Sequence, residues 1–256
     1  MLHRVDAPLS CGRAITLVNT AKAEDLFEDI DQRLRGNRGF TIATLNLDHV
    51  VKLRQKGSFL TAYLQHSHVV ADGNPIVWLR WLAGQPVELL TGSDLIDPLM
   101  AQAARLGIPV GFLGSTEPVL KTAAARLTKR HPGLNVVACV APPFGFDPAG
   151  PDADEAIRAL SDAGVRLCLI ALGAPKQEML AVRAHAALPN CGFVSIGAGL
   201  DFIAGHQVRA PSWMRRFALE WLWRFLGAPS RLGRRYLACI GVLPSLIWQA
   251  LVMRRT

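Results

Sequence analysis

Asp72 closes a short apolar run and is followed at once by glycine, in Ala71-Asp72-Gly73-Asn74-Pro75. A carboxylate at the mouth of a cleft can act as general base on an acceptor hydroxyl. Asp-Gly is also a common turn pair, so the spacing by itself leaves both readings open. Thr44 and Asn46, in Thr44-Leu45-Asn46-Leu47-Asp48-His49, offer a hydroxyl and an amide suited to a sugar or a nucleobase, or simply to capping a loop. Lys176, Gln177 and Glu178 open a helical pattern directly after an apolar run. A helix start carries free N–H groups and the positive end of the dipole, which favours anions. A fourth polar cluster, Gly197-Ala198-Gly199-Leu200-Asp201-Phe202, follows the last apolar run of the body.

Several chemistries are excluded. Gly197 and Gly199 begin a dinucleotide fingerprint, but Phe202 stands where its third glycine belongs, and no ribose-binding acid follows. There is no Walker A sequence, no GxSxG and no HExxH. His49, His66 and His68 lack a carboxylate at ligand spacing, and no DxD pair stands at a strand end. Neither a metal nor a cofactor is expected.

The elements that must hold these residues are short apolar runs alternating with helical patterns. Strands are predicted at Ala14–Asn19, Phe40–Leu45, His68–Ala71, Pro109–Leu113, Asn135–Val140, Arg166–Leu172 and Phe193–Ile196. Helices are predicted over Ala23–Arg35, Val50–Gln55, Phe59–Gln65, Pro75–Leu82, from a cap at Ser93 or Asp94 to Leu106, and over Glu117–Arg130, Glu155–Ala163 and Gln177–Ala187. That alternation implies an α/β fold: a Rossmann-like, mostly parallel, doubly wound sheet covered on both faces. In such a sheet ligands bind beyond the carboxyl ends of the strands, where all four polar clusters fall.

The chain changes character after residue 204. Residues 205–256 hold nine arginines, no lysine and one acid, Glu220, so they carry the whole net charge of +8. Trp213–Leu226 reads as a helix with Arg216, Glu220 and Arg224 on one stripe, broken at Pro229. Eighteen uncharged residues then run from Tyr236 to Met253, between arginines. That length meets the lower bound for a membrane span. Gly241, Pro244, Ser245 and Gln249 favour an interfacial helix hairpin or monotopic contact instead, with a helix packed on the core as the further alternative. The division expected is a catalytic domain over 1–204 and a helical, arginine-rich C-terminal appendage over 205–256.

Composition agrees with a folded, non-secreted chain. Half of the 256 residues are apolar and 19% are charged, which rules out disorder. The five cysteines are scattered and form no CxxC, which favours a reducing compartment over a disulfide framework. The opening MLHRVDAPLS has no apolar core of a signal peptide. A basic tail can serve an anionic lipid or a nucleic acid, and a binding protein of that kind is the rival reading. It leaves the four strand-end clusters unexplained, so nucleic acid is not expected as a partner.

Taken in order, T-x-N-x-x-H, A-D-G-x-P, T-G-S-D, L-G-x-P-K-Q-E and G-x-G-x-x-F-x-x-G, closed by R-A-P-S-W-M-R-R, L-E-W-L-W-R and P-S-R-L-x-R-R-Y, the sequence resembles the WecG/TagA/CpsF family of bacterial glycosyltransferases. The resemblance runs from about Thr41 to Tyr236. It implies an inverting, metal-independent transfer from a UDP-sugar to a monosaccharide linked through diphosphate to a polyprenyl lipid. The product would serve exopolysaccharide, common-antigen or teichoic-acid-linkage synthesis. The resemblance also implies a cytoplasmic enzyme held peripherally on the inner face of the bacterial cell membrane, with a homo-oligomer left open. By motif, Asp72 looks like the catalytic base, with Thr44 beside it in the catalytic set, and Thr44 and Asn46 look like donor or acceptor contacts. Gln177 looks like a residue near the sugar or phosphates, and Asp201 like a nucleobase contact. Arg224, Arg231, Arg234 and Arg235 look like the appendage arginines that close over the donor's diphosphate.

Overall fold

The computed structural model describes residues 14–55, 57–207, 210–211, 214, 220–227 and 229–255. Its centre is the strand β1 (Phe40–Leu45), which is buried at every position. A strand buried on both faces must be covered by helices on both sides. It pairs with β2 (His68–Ala71) on one side and β6 (Gly192–Ser195) on the other. With β3 (Pro109–Gly114), β4 (Asn135–Val140) and β5 (Leu167–Ala171), these form one six-stranded sheet in the order β2-β1-β6-β5-β3-β4. Every pair is parallel, so the expected Rossmann-like α/β architecture is present, with no antiparallel strand among the described residues.

Side-chain alternation sorts the helices. Ile42, Val110, Phe112, Leu167, Leu169 and Val194 face one layer, built by α1 (Ala23–Arg35), α5 (Gly92–Leu106), α6 (Glu117–Arg130) and α9 (Gly199–Ala204). Ala43, Leu45 and Val69 face the other layer beside α2 (Leu47–Leu53), α3 (Ser58–Gln65) and α4 (Asn74–Leu82). Cys168, Ile170 and Phe193 continue that second layer against α7 (Pro151–Asp162) and α8 (Lys176–Ala187).

The predicted first strand is absent. Ala14–Leu17 forms a 3-10 turn, with Ile15 and Val18 buried among the second-layer side chains. Asn19 explains the difference. Its Oδ1 accepts from the Val69 N–H at 2.7 Å and its Nδ2 donates to the Ser67 carbonyl at 3.1 Å. Asn19 thus occupies the outer edge of β2 with its side chain and with its own N–H, which donates to the Val69 carbonyl at 3.1 Å, where a seventh strand would have paired. The helix expected from Ser93 or Asp94 starts a little earlier: Thr91 is the N-cap and accepts from the Asp94 N–H at 3.3 Å.

At the C-terminus, α10 (Glu220–Gly227) precedes a continuous helix, α11 (Pro229–Arg255). The expected helix start at Trp213 lies outside the described residues. No hairpin interrupts α11, which runs through Pro244. Cys239, Val242, Leu246 and Ala250, spaced three and four apart, form a buried stripe. The last three pack with Val50 and Leu53 of α2 and Ile76 and Leu79 of α4. Leu237, Ile240, Ile247, Trp248 and Leu251, on the outward side, are exposed. The helix is therefore apolar on two faces and docked by one.

Candidate functional site

Because all strands run the same way, the loops after β1, β2, β3, β5 and β6 share one edge of the sheet. Asn46 follows β1 and caps α2: its Oδ1 accepts from the His49 N–H at 3.0 Å. The other end of the same amide donates from Nδ2 to Asp72 Oδ2 at 3.2 Å. With oxygen and nitrogen both engaged, the amide has one sensible orientation. Asp72 is itself fixed by its backbone N–H, which donates to the Leu45 carbonyl at 2.8 Å and extends the β1–β2 ladder by one rung. Gly73 then turns the chain at φ +99, a conformation that L side chains rarely adopt, into the start of α4. The half-buried carboxylate of Asp72 is thus oriented by Asn46 at the sheet edge.

Beneath this pair, the Thr44 carbonyl accepts from Tyr63 Oη at 2.7 Å, and His49 Nδ1 lies 2.7 Å from the same carbonyl and 2.6 Å from Tyr63 Oη. Burial pushes the Tyr63 phenol well above its ordinary range, and the charges of Glu178, Asp72 and Asp48 add to the effect. It remains a hydrogen-bond donor. Thr44, 4% exposed, is held by this buried floor.

Gln177 and Asp201 belong to the neighbouring loops. Gln177 is nearly buried: its Nε2 donates to Glu178 Oε1 at 2.8 Å, and its Oε1 accepts from the Gly197 N–H at 3.0 Å. It therefore ties the start of α8 to the loop after β6. Asp201, in the first turn of α9, accepts from Ser115 Oγ at 3.2 Å. Ser115 holds a positive φ of 50, and its N–H donates to the Ala171 carbonyl at 3.0 Å. Just before it, a Cβ on Gly114 would stand 2.4 Å from the Ala171 oxygen, so only glycine lets β3 and β5 approach this closely. The connections after β3 and β5 leave in opposite directions, which makes this crevice a topological switch point.

Read against known families, the profile of the Glycosyl transferase WecG/TagA/CpsF family matches residues 14–256. The chain belongs to this family. Its activity is accordingly that of a glycosyltransferase of cell-surface polysaccharide biosynthesis.

In this WecG/TagA/CpsF member the structure joins Asn46 and Asp72 by a hydrogen bond, leaves Thr44 buried on β1 two residues before Asn46, and sets Gln177 and Asp201 on adjoining loops. The four arginines divide. Arg224 and Arg231 lie outside the residues whose side chains are described. Arg234 is exposed. Arg235 is engaged: its Nε lies 3.0 Å from Asp48 Oδ1. Asp48 Oδ2 also meets Lys52 Nζ at 2.7 Å, and Lys52 donates to the Ala174 carbonyl at 3.0 Å. Residue types and motifs did not single out Lys52, Tyr63 or Ser115, and gave Asp48 no role of its own. Only the Asp48–Lys52 spacing of four could have signalled a pair. Among the described residues no three His, Cys, Asp or Glu side chains group as metal ligands. His68 is instead paired with Asp29 at 2.9 Å, and His66 Nδ1 lies 2.8 Å from the Ala62 carbonyl.

Proposed function

We propose that this chain is an inverting, metal-independent transferase that moves a sugar from a UDP-sugar to a polyprenyl-diphosphate-linked monosaccharide at the inner face of the bacterial cell membrane. The observation that carries the reading is the Asn46–Asp72 hydrogen bond. It joins two separate family-like motifs into one oriented carboxylate at the ligand-binding edge of a parallel sheet. UDP as carrier and the lipid acceptor come from the resemblance.

Asp72 takes the proton of the acceptor hydroxyl as that oxygen bonds to the anomeric carbon. The bond from that carbon to the diphosphate breaks on the opposite face, and UDP departs with the electron pair. One base opposite one leaving group gives inversion. Asn46 and Thr44 line the approach, and Gln177 and Asp201 shape the donor side. Negative charge on the departing diphosphate needs a partner. Arginine supplies it through a planar fork that matches phosphate oxygens, and the appendage is rich in arginine.

The C-terminal helix supports attachment to the membrane. It is long and apolar enough to cross a membrane by length and composition. Its inner stripe, however, is packed on α2 and α4, while Leu237, Ile240, Ile247 and Trp248 remain exposed. A helix docked on the body with a second apolar face outward suits monotopic contact at the interface. In this reading residues 1–204 form the catalytic body and 205–256 the appendage that closes the site and touches the membrane.

The test is a panel of UDP-sugars with a polyprenyl-diphosphate-linked monosaccharide, the product read by mass, with and without EDTA. A product heavier by one sugar from at least one UDP donor is expected, undiminished by the chelator. No transfer from any UDP donor overturns the carrier assignment, and transfer to water alone overturns the acceptor.

A further inference from the structure

Asp48 lies in the first turn of α2, two residues beyond Asn46, with a side chain only 11% exposed. Two cations meet it from different parts of the chain. Lys52, one turn along the same helix, lies 2.7 Å from Oδ2, and Arg235 of α11 lies 3.0 Å from Oδ1. Lys52 also donates to the carbonyl of Ala174, in the loop between β5 and α8. That loop leads directly into Gln177 and Glu178. An exposed ion pair of this kind would contribute little. Asp48 is almost out of water and shared by two cations, so although the Arg235 side chain is 42% exposed, the junction is screened less than a fully exposed pair and orients the carboxylate between them.

The contacts meeting at Asp48 join three bodies. One is α2, whose cap Asn46 orients Asp72. The second is the β5–α8 loop, through Lys52. The third is the C-terminal helix α11, through Arg235. The α2–α11 contact continues at the far end of α2, where its C-cap Arg54 donates to Ser245 Oγ.

We infer that Asp48 is a positioning residue that couples the seat of α11 to the geometry of the loop carrying Gln177, and that Arg235 serves this junction rather than the donor's diphosphate. The inference deepens the proposed transferase reading, on which only its kinetic consequence rests. The junction itself is readable without any turnover. Removing Arg235 releases one oxygen of Asp48, lets Lys52 swing towards it, and loosens the Ala174 carbonyl, to which Arg235 makes no contact of its own.

The experiment uses the full chain and the variants Asp48→Asn, Asp48→Glu, Arg235→Ala and the double variant Asp48→Asn/Arg235→Ala, each first checked for cooperative melting. Hydrogen exchange is followed in peptides covering 46–54, 172–178 and 229–255, and UDP binding by calorimetry. Arg235→Ala and Asp48→Asn should each speed exchange in 172–178, while Asp48→Glu restores most of the protection. Turnover should fall about 10- to 100-fold in each single variant, the range for misplacing a reacting geometry. The double variant should be no worse than the weaker single, because both remove the same junction. UDP affinity should stay within about threefold, less than the loss of one charge-assisted contact would cause. If Arg235→Ala weakens UDP binding about tenfold or more while Asp48→Asn does not, Arg235 is a diphosphate contact and the inference is overturned. Unchanged exchange in 172–178 in both single variants overturns it as well. If the wild-type chain transfers no sugar while the exchange pattern holds, the proposed function fails and the junction stands.

Discussion

Replacing Asp72 by Asn isolates the proposed base from everything else that Asp72 does. The backbone bond from Asp72 N–H to the Leu45 carbonyl does not involve the side chain. The side-chain bond from Asn46 can survive, since an amide oxygen accepts from Nδ2 as a carboxylate oxygen does. The side chain is half-buried and keeps its volume, so stability should change by less than about 1 kcal/mol. What disappears is the ability to take a proton. General-base catalysis contributes on the order of 10²–10⁴, equivalent to about 3–5 kcal/mol of barrier. Turnover of Asp72→Asn on a UDP-sugar and a lipid-linked acceptor should fall by that factor, with UDP binding nearly intact. Asn46→Ser makes a useful companion. Serine still caps α2 but is too short to reach Asp72, so the cap is kept and the orienting bond is lost. Losing the orienting bond misplaces the base, so turnover should fall about 10- to 100-fold, with a melting temperature lowered far less than by loss of the cap itself. Should Asp72→Asn keep more than about a third of wild-type turnover, far above what loss of a base allows, the base is elsewhere.

Three further outcomes are expected. Activity should persist in excess EDTA; its loss, with rescue by manganese or magnesium, would refute the metal-free mechanism. Burial pushes the His66 imidazole down to about 4, below its ordinary 6.5, so the fold favours the neutral ring. That contribution is complete above pH 6.5 and drains as pH falls towards 4, by on the order of 3 kcal/mol, and His66→Leu should flatten this part of a melting-temperature profile. On α11, Leu246→Ala should destabilise the fold by about 2–5 kcal/mol, because Leu246 is fully buried, while Trp248→Ser should leave stability almost unchanged and weaken flotation with anionic liposomes. Equal effects of these two substitutions on both measurements would contradict the two-faced helix.

The parts of this architecture legible in the sequence are those governed by local periodicity. The bounds read for α1, β1 and β2 coincide with the structure because each is a clean helical or apolar run ended by turn residues. Asn46 and Asp72 were legible as candidates because each closes a buried run, but a turn and a loop cap were equally open readings, and only the fold joins the two side chains. Ala14–Asn19 misled because an apolar run gives no sign that Asn19 will satisfy the edge of β2 with its side chain. Gln177 is placed by Glu178 and by Gly197, a neighbour only once β5 and β6 are paired. The Asp48–Arg235 contact joins the second helix to the last and has no local signature at all.

The C-terminal helix shows why composition could not choose among spanning, lying on and packing away from a membrane. From Tyr236 to Met253 no charged residue marks a polar face, so the sequence carries little contrast between faces. Contrast arises only when α2 and α4 cover one stripe. Once Val242, Leu246 and Ala250 are packed there, a spanning arrangement would strip them from Val50, Leu53, Ile76 and Leu79 and expose that part of the core. Contact by the outer face costs no such exchange. On α4, the helix against which α11 packs, Trp78 and Trp81 are also exposed, at 59% and 67%. Tryptophan suits the boundary between water and lipid because its ring is apolar and its N–H is not. The helix α4 begins two residues after Asp72, and α11 packs on it. On the proposed function, the helix that follows the base is therefore packed against the helix that would meet the lipid surface.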